Sequence, residues 1–283
     1  MNQLKTIKKQ NLSVRDDIGD LITRRALPTQ FIEHLDPFLF LNHHGPQVYP
    51  ARNQGLPFGP HPHRGFETVT FILSGDLEHQ DTAGHRSVIK AGGVQWMTAG
   101  RGLVHSEVSS KEFLETGGDL EILQLWVNLP SQLKMTEPKY VGLQKNQIPQ
   151  MKSESGYSQV SLVAGKWMDR DGAFKPLTPM TLMTVSLSNK AKQKFSISRN
   201  ENVFFYVIRG SLLVNGTEAK AFHLLEFNSD GEEIQIESQS DSLILLGHAK
   251  AYGEPIVSHG PFVMNTRAEI QQAIRDYQSG VLK

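Results

Sequence analysis

HPHRGFETVTFILSG, His61–Gly75, is the stretch whose reading decides the fold. Two histidines stand two residues apart at the head of an apolar run, with Glu67 four residues after His63. Side chains at i and i+2 of a β-strand share a face, so His61 and His63 can present two imidazoles to one point. The run VTFILSG is β-branched and aromatic and closes at Gly75, which marks a strand and a turn. A second pair of the same spacing, His105-Ser106-Glu107, lies further on. The expectation is that two strands build one metal site from His61, His63, His105 and Glu107.

Three imidazoles and a carboxylate suit Fe(II), Mn(II), Co(II), Ni(II), Cu(II) or Zn(II), and leave up to two positions for water, substrate or O2. Glu67 competes for the carboxylate place, because in a regular strand it shares parity with both histidines. Gly65 can bend the strand and spoil that parity. Glu67 would then orient a ligand histidine without binding the metal itself. Glu107 is the favoured ligand.

Outward from these motifs, short apolar runs alternate with turns about every ten residues. That spacing argues for a sandwich or barrel and against a βαβ sheet. DTAG, Asp81–Gly84, reads as a hairpin turn flanked by His79 and His85, which are expected as turn and surface residues. His43 and His44 end another strand, point to opposite faces and are expected at the surface. LEILQLWVNLP ends the first barrel, giving a unit over 1–130. Residues 131–155 lose periodicity and gain Lys, Gln and Pro, as an exposed connection would.

Short strands resume from Tyr157, so 156–283 reads as a second barrel. NVFFYVIRG repeats the strand-to-glycine pattern of VTFILSG. Counting back from Gly210 by the offsets that separate the motif residues from Gly75 puts Ser196, Ser198 and Asn202 in the places of His61, His63 and Glu67. The second half would keep the scaffold without the ligands. In the tail, Thr266 and Glu269 form a capping box, Ile270, Ile274 and Tyr277 share a helical face, and Gly280 stops the helix.

Composition bounds the rest. Hydrophobic residues at 39% of 283 support a real core, and 29 basic residues balance 29 acidic ones, so no global charge points to nucleic acid or an anionic membrane. No cysteine is present, which excludes disulfides, Fe–S clusters and thiolate nucleophiles. Neither a signal peptide nor a run of 18 apolar residues is visible, so a cytoplasmic location is expected.

The motifs also carry a resemblance. Gly55, His61, His63 and Glu67 are spaced as in the first cupin motif, with Gly75 one residue late. Gly93, Gly102 and His105 resemble the second, with Ala99 where Pro is usual and Ser109 where Asn is usual. More closely, HPHRGFETVTFILSG, QWMTAGRGLVHSE and PFVMNTRAEIQQAIRDYQSG resemble the pirin family, over nearly the whole chain. The resemblance implies an all-β bicupin, two tandem barrels with a short C-terminal helix. It implies one mononuclear metal, usually iron, held by His61, His63, His105 and Glu107 in the first barrel, and a second barrel without metal. It further implies a quercetin 2,3-dioxygenase-like activity, in which O2 opens a flavonol ring and CO is released. Glu107 is then the candidate catalytic base, ahead of Glu67, with Phe58, Phe66, Trp96 and Met97 as candidates for an apolar wall. The alternative is a metal-dependent co-regulator that binds a protein partner, with no direct nucleic-acid contact.

Overall fold

The computed structural model describes residues 3–153 and 156–282, and strands account for most of it. Two compact units share one plan. One comprises Arg15–Arg25, Phe38–Asn146 and Tyr252–Lys283; the other comprises Met1–Val14, Ala26–Pro37 and Gln147–Ala251. The sequential division expected above, 1–130, 131–155 and 156–283, differs from this grouping at both ends of the chain. Strand Ile7–Leu12 pairs with His223–Phe227 and so joins the other unit's sheet. The tail docks on the first unit, where Val263 N–H donates to the Arg64 carbonyl at 3.0 Å.

In the first unit, the antiparallel neighbours Lys139–Leu143, Val94–Thr98, Phe66–Ser74, Gly118–Asn128 and Phe38–Tyr49 lie in one large sheet. A smaller sheet runs Phe58–His63, Leu103–Val108, Asp76–Asp81, Arg86–Lys90. Ile72, Leu120 and Ile122 from the large sheet meet Leu77 and Ile89 from the small one in a shared core. Alternation explains the pairing: on Leu103–Val108 every second residue is buried, and the buried set includes Leu103, His105 and Glu107.

The opening motif is two strands, not one. Phe58–His63 belongs to the small sheet and Phe66–Ser74 to the large one. The chain changes sheets at Arg64–Gly65. Gly65 has φ +89°, and a Cβ there would stand 2.0 Å from the Val263 carbonyl oxygen, so only glycine fits the bend. Its own carbonyl accepts from the buried Lys134 ammonium at 2.8 Å, which also donates to Asn128 Oδ1 and the Val263 carbonyl.

Part of the expected connection is ordered sheet. Lys139–Leu143 extends the first unit's sheet beside Val94–Thr98, and Gln150–Lys152 edges the second unit's sheet beside Ser158–Ala164. Residues 154 and 155 of that connection lie outside the described residues. The second unit repeats the pattern, with a seven-stranded and a four-stranded sheet enclosing an aliphatic and aromatic core.

The tail forms the hairpin Val257–His259 and Phe262–Met264 and then the helix Arg267–Gln278. The capping box is present, with Glu269 N–H donating to Thr266 Oγ1 at 3.2 Å and Thr266 N–H donating to Glu269 Oε2 at 2.8 Å. Ile270, Ala273 and Ile274 pack against Phe262 and Met264, whereas Tyr277 is exposed. A second short helix, Lys111–Thr116, is capped by Ser110 and was not visible as a periodic pattern. Among the described residues no helix is long and apolar enough to cross a membrane.

Candidate metal centre

His61, His63 and His105 come together in the first unit. In register, His105 stands opposite His61 and Leu103 opposite His63, so adjacent strands of the small sheet deliver the three rings to one place. Ring centroids lie 4.8 Å apart for His61 and His63, 4.4 Å for His61 and His105, and 4.9 Å for His63 and His105. One nitrogen from each lies within 4.8 Å of the others. Nitrogens bound to one ion at about 2.1 Å stand roughly 3–4.2 Å apart, so the three rings have to close by at most about 2 Å to share an ion.

The rings are aimed by their other nitrogens. His61 Nδ1 is 2.7 Å from the Gly59 carbonyl and His63 Nδ1 is 3.4 Å from the Pro261 carbonyl. A carbonyl only accepts, so each Nδ1 carries the proton and each Nε2 keeps its lone pair. Nε2 of His63 and of His105 is buried with no hydrogen-bond partner. Buried polar atoms are normally satisfied, and two orphaned imidazole lone pairs facing one another fit a cation between them. Burial, reinforced by the neighbouring histidines, pushes His63 down to about 3 and His105 well below the usual histidine value. Both are therefore uncharged at neutral pH, the form that binds metal.

Glu107 is on the same face of the strand as His105 but is not part of the close three-histidine group. Its carboxylate is buried and accepts from three neutral donors on three strands: Thr70 Oγ1 at 3.1 Å, Gln95 Nε2, and Gln124 Nε2 at 2.5 Å. Gln95 Oε1 in turn accepts from the Tyr140 hydroxyl at 3.1 Å, and Gln124 Oε1 from the Trp126 indole at 3.3 Å. The sequence marks three of these donors only as lone polar residues in otherwise apolar strands.

Thr70 reaches Glu107, so Phe66, Thr68 and Ile72, of the same parity, also face inward. Glu67 has the opposite parity. It is paired in register with Thr98, whose hydroxyl donates to Oε1 at 2.6 Å, and it faces away from the histidines. The break at Gly65 separates it from their parity. Burial raises the Glu67 carboxyl to about 7, against the pull of Thr98 and Trp96.

The apolar wall is partly as expected. Phe66 lies 5.0 Å from His63 and 4.4 Å from Trp126, and Trp126 lies 5.3 Å from His63 and 4.5 Å from Phe40. Met97, opposite Thr68 in register, also faces inward. Trp96 has the parity of Glu67 and faces the other way. Phe58 packs against His44, 5.1 Å away.

Of the four histidines expected in turn or surface positions, His43, His44 and His79 are buried and His85 stays on its turn. His43 and His44 are both buried, His43 Nε2 lying 3.0 Å from Glu121 Oε1 and His44 Nδ1 2.9 Å from Thr23 Oγ1. Burial, with His43 and Arg25 nearby, pushes His44 down to about 3. His85 sits half exposed on the turn, holding Asp81. His79 is buried beside His105. Burial alone would raise Asp81, but bonds from His79 and from His85 hold its carboxyl below the usual value.

Two sheet pairs, one of them carrying three converging imidazoles, define a bicupin. Residues 20–127 match the family Pirin and residues 182–283 the family Pirin C-terminal cupin domain. Pirin-1 of Arabidopsis thaliana is 39% identical over 279 residues, covering 96% of this chain and 92% of its own. Human Pirin is 35% identical over 283 residues, with coverage of 96% and 93%. The crystal structure of quercetin 2,3-dioxygenase from Acinetobacter baumannii superposes with a TM-score of 0.91 at 33% identity, covering 99% of each chain. The chain belongs to the pirin family.

Proposed function

We propose that the protein is a mononuclear metal-dependent dioxygenase of the quercetin 2,3-dioxygenase type. O2 opens the central ring of a flavonol, and one ring carbon leaves as CO. The observation that carries this reading is the pair of orphaned, buried Nε2 lone pairs on His63 and His105 facing His61. The Acinetobacter quercetin 2,3-dioxygenase, alike over the full length, supports the substrate class.

His61, His63 and His105 would hold the ion through Nε2, with Glu107 as fourth ligand. Oε1 of Glu107 already accepts from Thr70 and Gln95, whereas Oε2 accepts only from Gln124. A carboxylate oxygen has two lone pairs, so Oε2 is the atom left to offer. This nitrogen-rich set with one oxygen suits Fe(II), and also Mn, Co, Ni, Cu or Zn. Bound there, the ion supplies a Lewis acid for the flavonol 3-hydroxyl and a template that brings substrate and O2 together.

The residues do the rest. His61 is the least buried of the three histidines and marks the side from which a ligand arrives. Phe40, Phe66 and Trp126 offer an aromatic wall beside His63 for a flat, apolar ring system. Glu107 Oε2, once released from the ion, would be the acceptor for the 3-hydroxyl proton, and Gln124, steadied by Trp126, holds that oxygen in place. Glu67 faces the wrong side to serve.

Quercetin added anaerobically to Fe(II)-loaded protein is expected to shift its flavonol absorbance, and admitting O2 is expected to release CO. No shift and no CO would sink the reading.

A further inference from the structure

His79 lies behind His105, and the ligand set above leaves it without a role. It sits on Asp76–Asp81, opposite Glu107 in register, and is fully buried. Its ring lies flat on Tyr140, with centroids 3.9 Å apart and planes 7° from parallel. Its Nε2 is 3.0 Å from Asp81 Oδ2, and its Nδ1 is 3.4 Å from Nδ1 of His105.

The direction of these bonds can be worked out from one end. An ionised carboxylate only accepts, so His79 Nε2 donates to Asp81. With its proton on Nε2, an uncharged His79 has a lone pair on Nδ1, which can only accept from Nδ1–H of His105. That leaves the His105 lone pair on Nε2, the nitrogen that meets His61 and His63. His61 and His63 get the same result from backbone carbonyls, which have one polarity only. His105 does not, because two imidazole nitrogens facing each other can share a proton either way round. Asp81 breaks the tie. It is itself fixed, with Oδ1 accepting from the backbone N–H groups of Ala83 and His85 at 3.0 Å each.

We infer that His79, held by Asp81 and stacked on Tyr140, is a positioning residue that fixes the tautomer and aim of His105 and thereby sets the affinity of the centre for a divalent metal ion. The affinity half of this inference rests on the metal reading above; the tautomer half does not. Tyr140 ties the two supports together, since the same side chain stacks on His79 and donates to Gln95, which donates to Glu107.

Two measurements on the full chain test it. Long-range proton–nitrogen correlation spectra of the metal-free, histidine-labelled protein should show His105 as the Nδ1–H tautomer. The same form should persist in His79→Asn, whose amide oxygen can accept in place of Nδ1, and be lost in His79→Phe, which keeps the stacking but not the acceptor. An Nε2–H tautomer in the unmutated protein would overturn the inference without any variant. Chelator competition with zinc alone should then show affinity lowered about 10–100-fold in His79→Phe and close to the starting value in His79→Asn. Equal affinity in all three would overturn the positioning role. A starting protein that binds no zinc would overturn the metal centre itself.

Discussion

The two barrels share a strand plan and differ in what fills them. In the first, the strand ending at Gly75 turns Thr70 inward to Glu107. In the second, the strand ending at Gly210 has Phe205 at the same offset, packed in a core with Val203 and Val207. Where the first unit's small sheet pairs His61 with His105, the second pairs Phe195 with Ile234, and both are buried. A sheet pair this size can be closed by an aliphatic core, or it can be opened to polar groups if each finds a partner. The first barrel takes the second course, at the cost of building Thr70, Gln95 and Gln124 around one carboxylate.

The largest effect should come from removing a ligand. His63→Ala or His105→Ala should abolish metal occupancy, measured by elemental analysis, while far-UV circular dichroism stays that of the parent. Full occupancy in either variant would break the contrast between the barrels.

Next comes the matched pair of inward positions. Phe205→Ala should lose about 3–5 kcal/mol in urea unfolding, as a large buried side chain does. Thr70→Val keeps its shape and should lose only about 1–2 kcal/mol, the cost of one donor to a buried acceptor. Its clearer signature would be weaker metal binding. Equal losses at the two sites would mean that both interiors are held by the same kind of packing.

Titration gives a third test, of comparable size, in the metal-free protein. Burial holds His63 down to about 3, so its contribution is present above about 6.5 and is lost as pH falls towards 3. Glu67 works in the opposite sense. Raised from 4.5 to about 7, its contribution is full below 4.5 and is lost as pH rises through 7. Glu67→Gln removes only the second effect. Its stability relative to the parent should therefore climb between pH 4.5 and pH 8, by up to about 3 kcal/mol. A difference independent of pH would show that Glu67 is not buried as an acid.

The smallest effect separates two alignments. Ser196 and Ser198 are exposed, while their neighbours Phe195 and Ile197 are buried in the second core. Ser196→Ala should change stability by less than about 0.5 kcal/mol. A large loss would restore Ser196 as an inward position.

Much of the centre was legible because its spacing is short. His61 with His63, and His105 with Glu107, are local patterns that need only the two-residue repeat of a strand. Gly65 moves the chain between sheets and takes Glu67 out of the histidines' parity, as a glycine at that place allowed. Ser196 and Ser198 were misplaced by an ungapped count that lands one residue off the inward face. Tyr140 and His79 were not legible at all. Tyr140 lies in a stretch without periodicity, and His79 became a buried neighbour of His105 only through pairing between Asp76–Asp81 and Leu103–Val108. Long-range pairing leaves no mark within a window of ten residues.

The Pro261 carbonyl behind His63 has a consequence in time. A ribosome makes Pro261 198 residues after His63, which at about 5–20 residues per second is a delay of roughly 10–40 s. When Leu143 completes the strands of the first barrel's two sheets, Pro261 and Val263 are still to be made, so His63 has no carbonyl at its Nδ1 and Lys134 lacks the Val263 acceptor. The ring is free to take either tautomer until the hairpin arrives. The setting of His63 is thereby completed by synthesis of the tail and not by completion of the barrel that carries it.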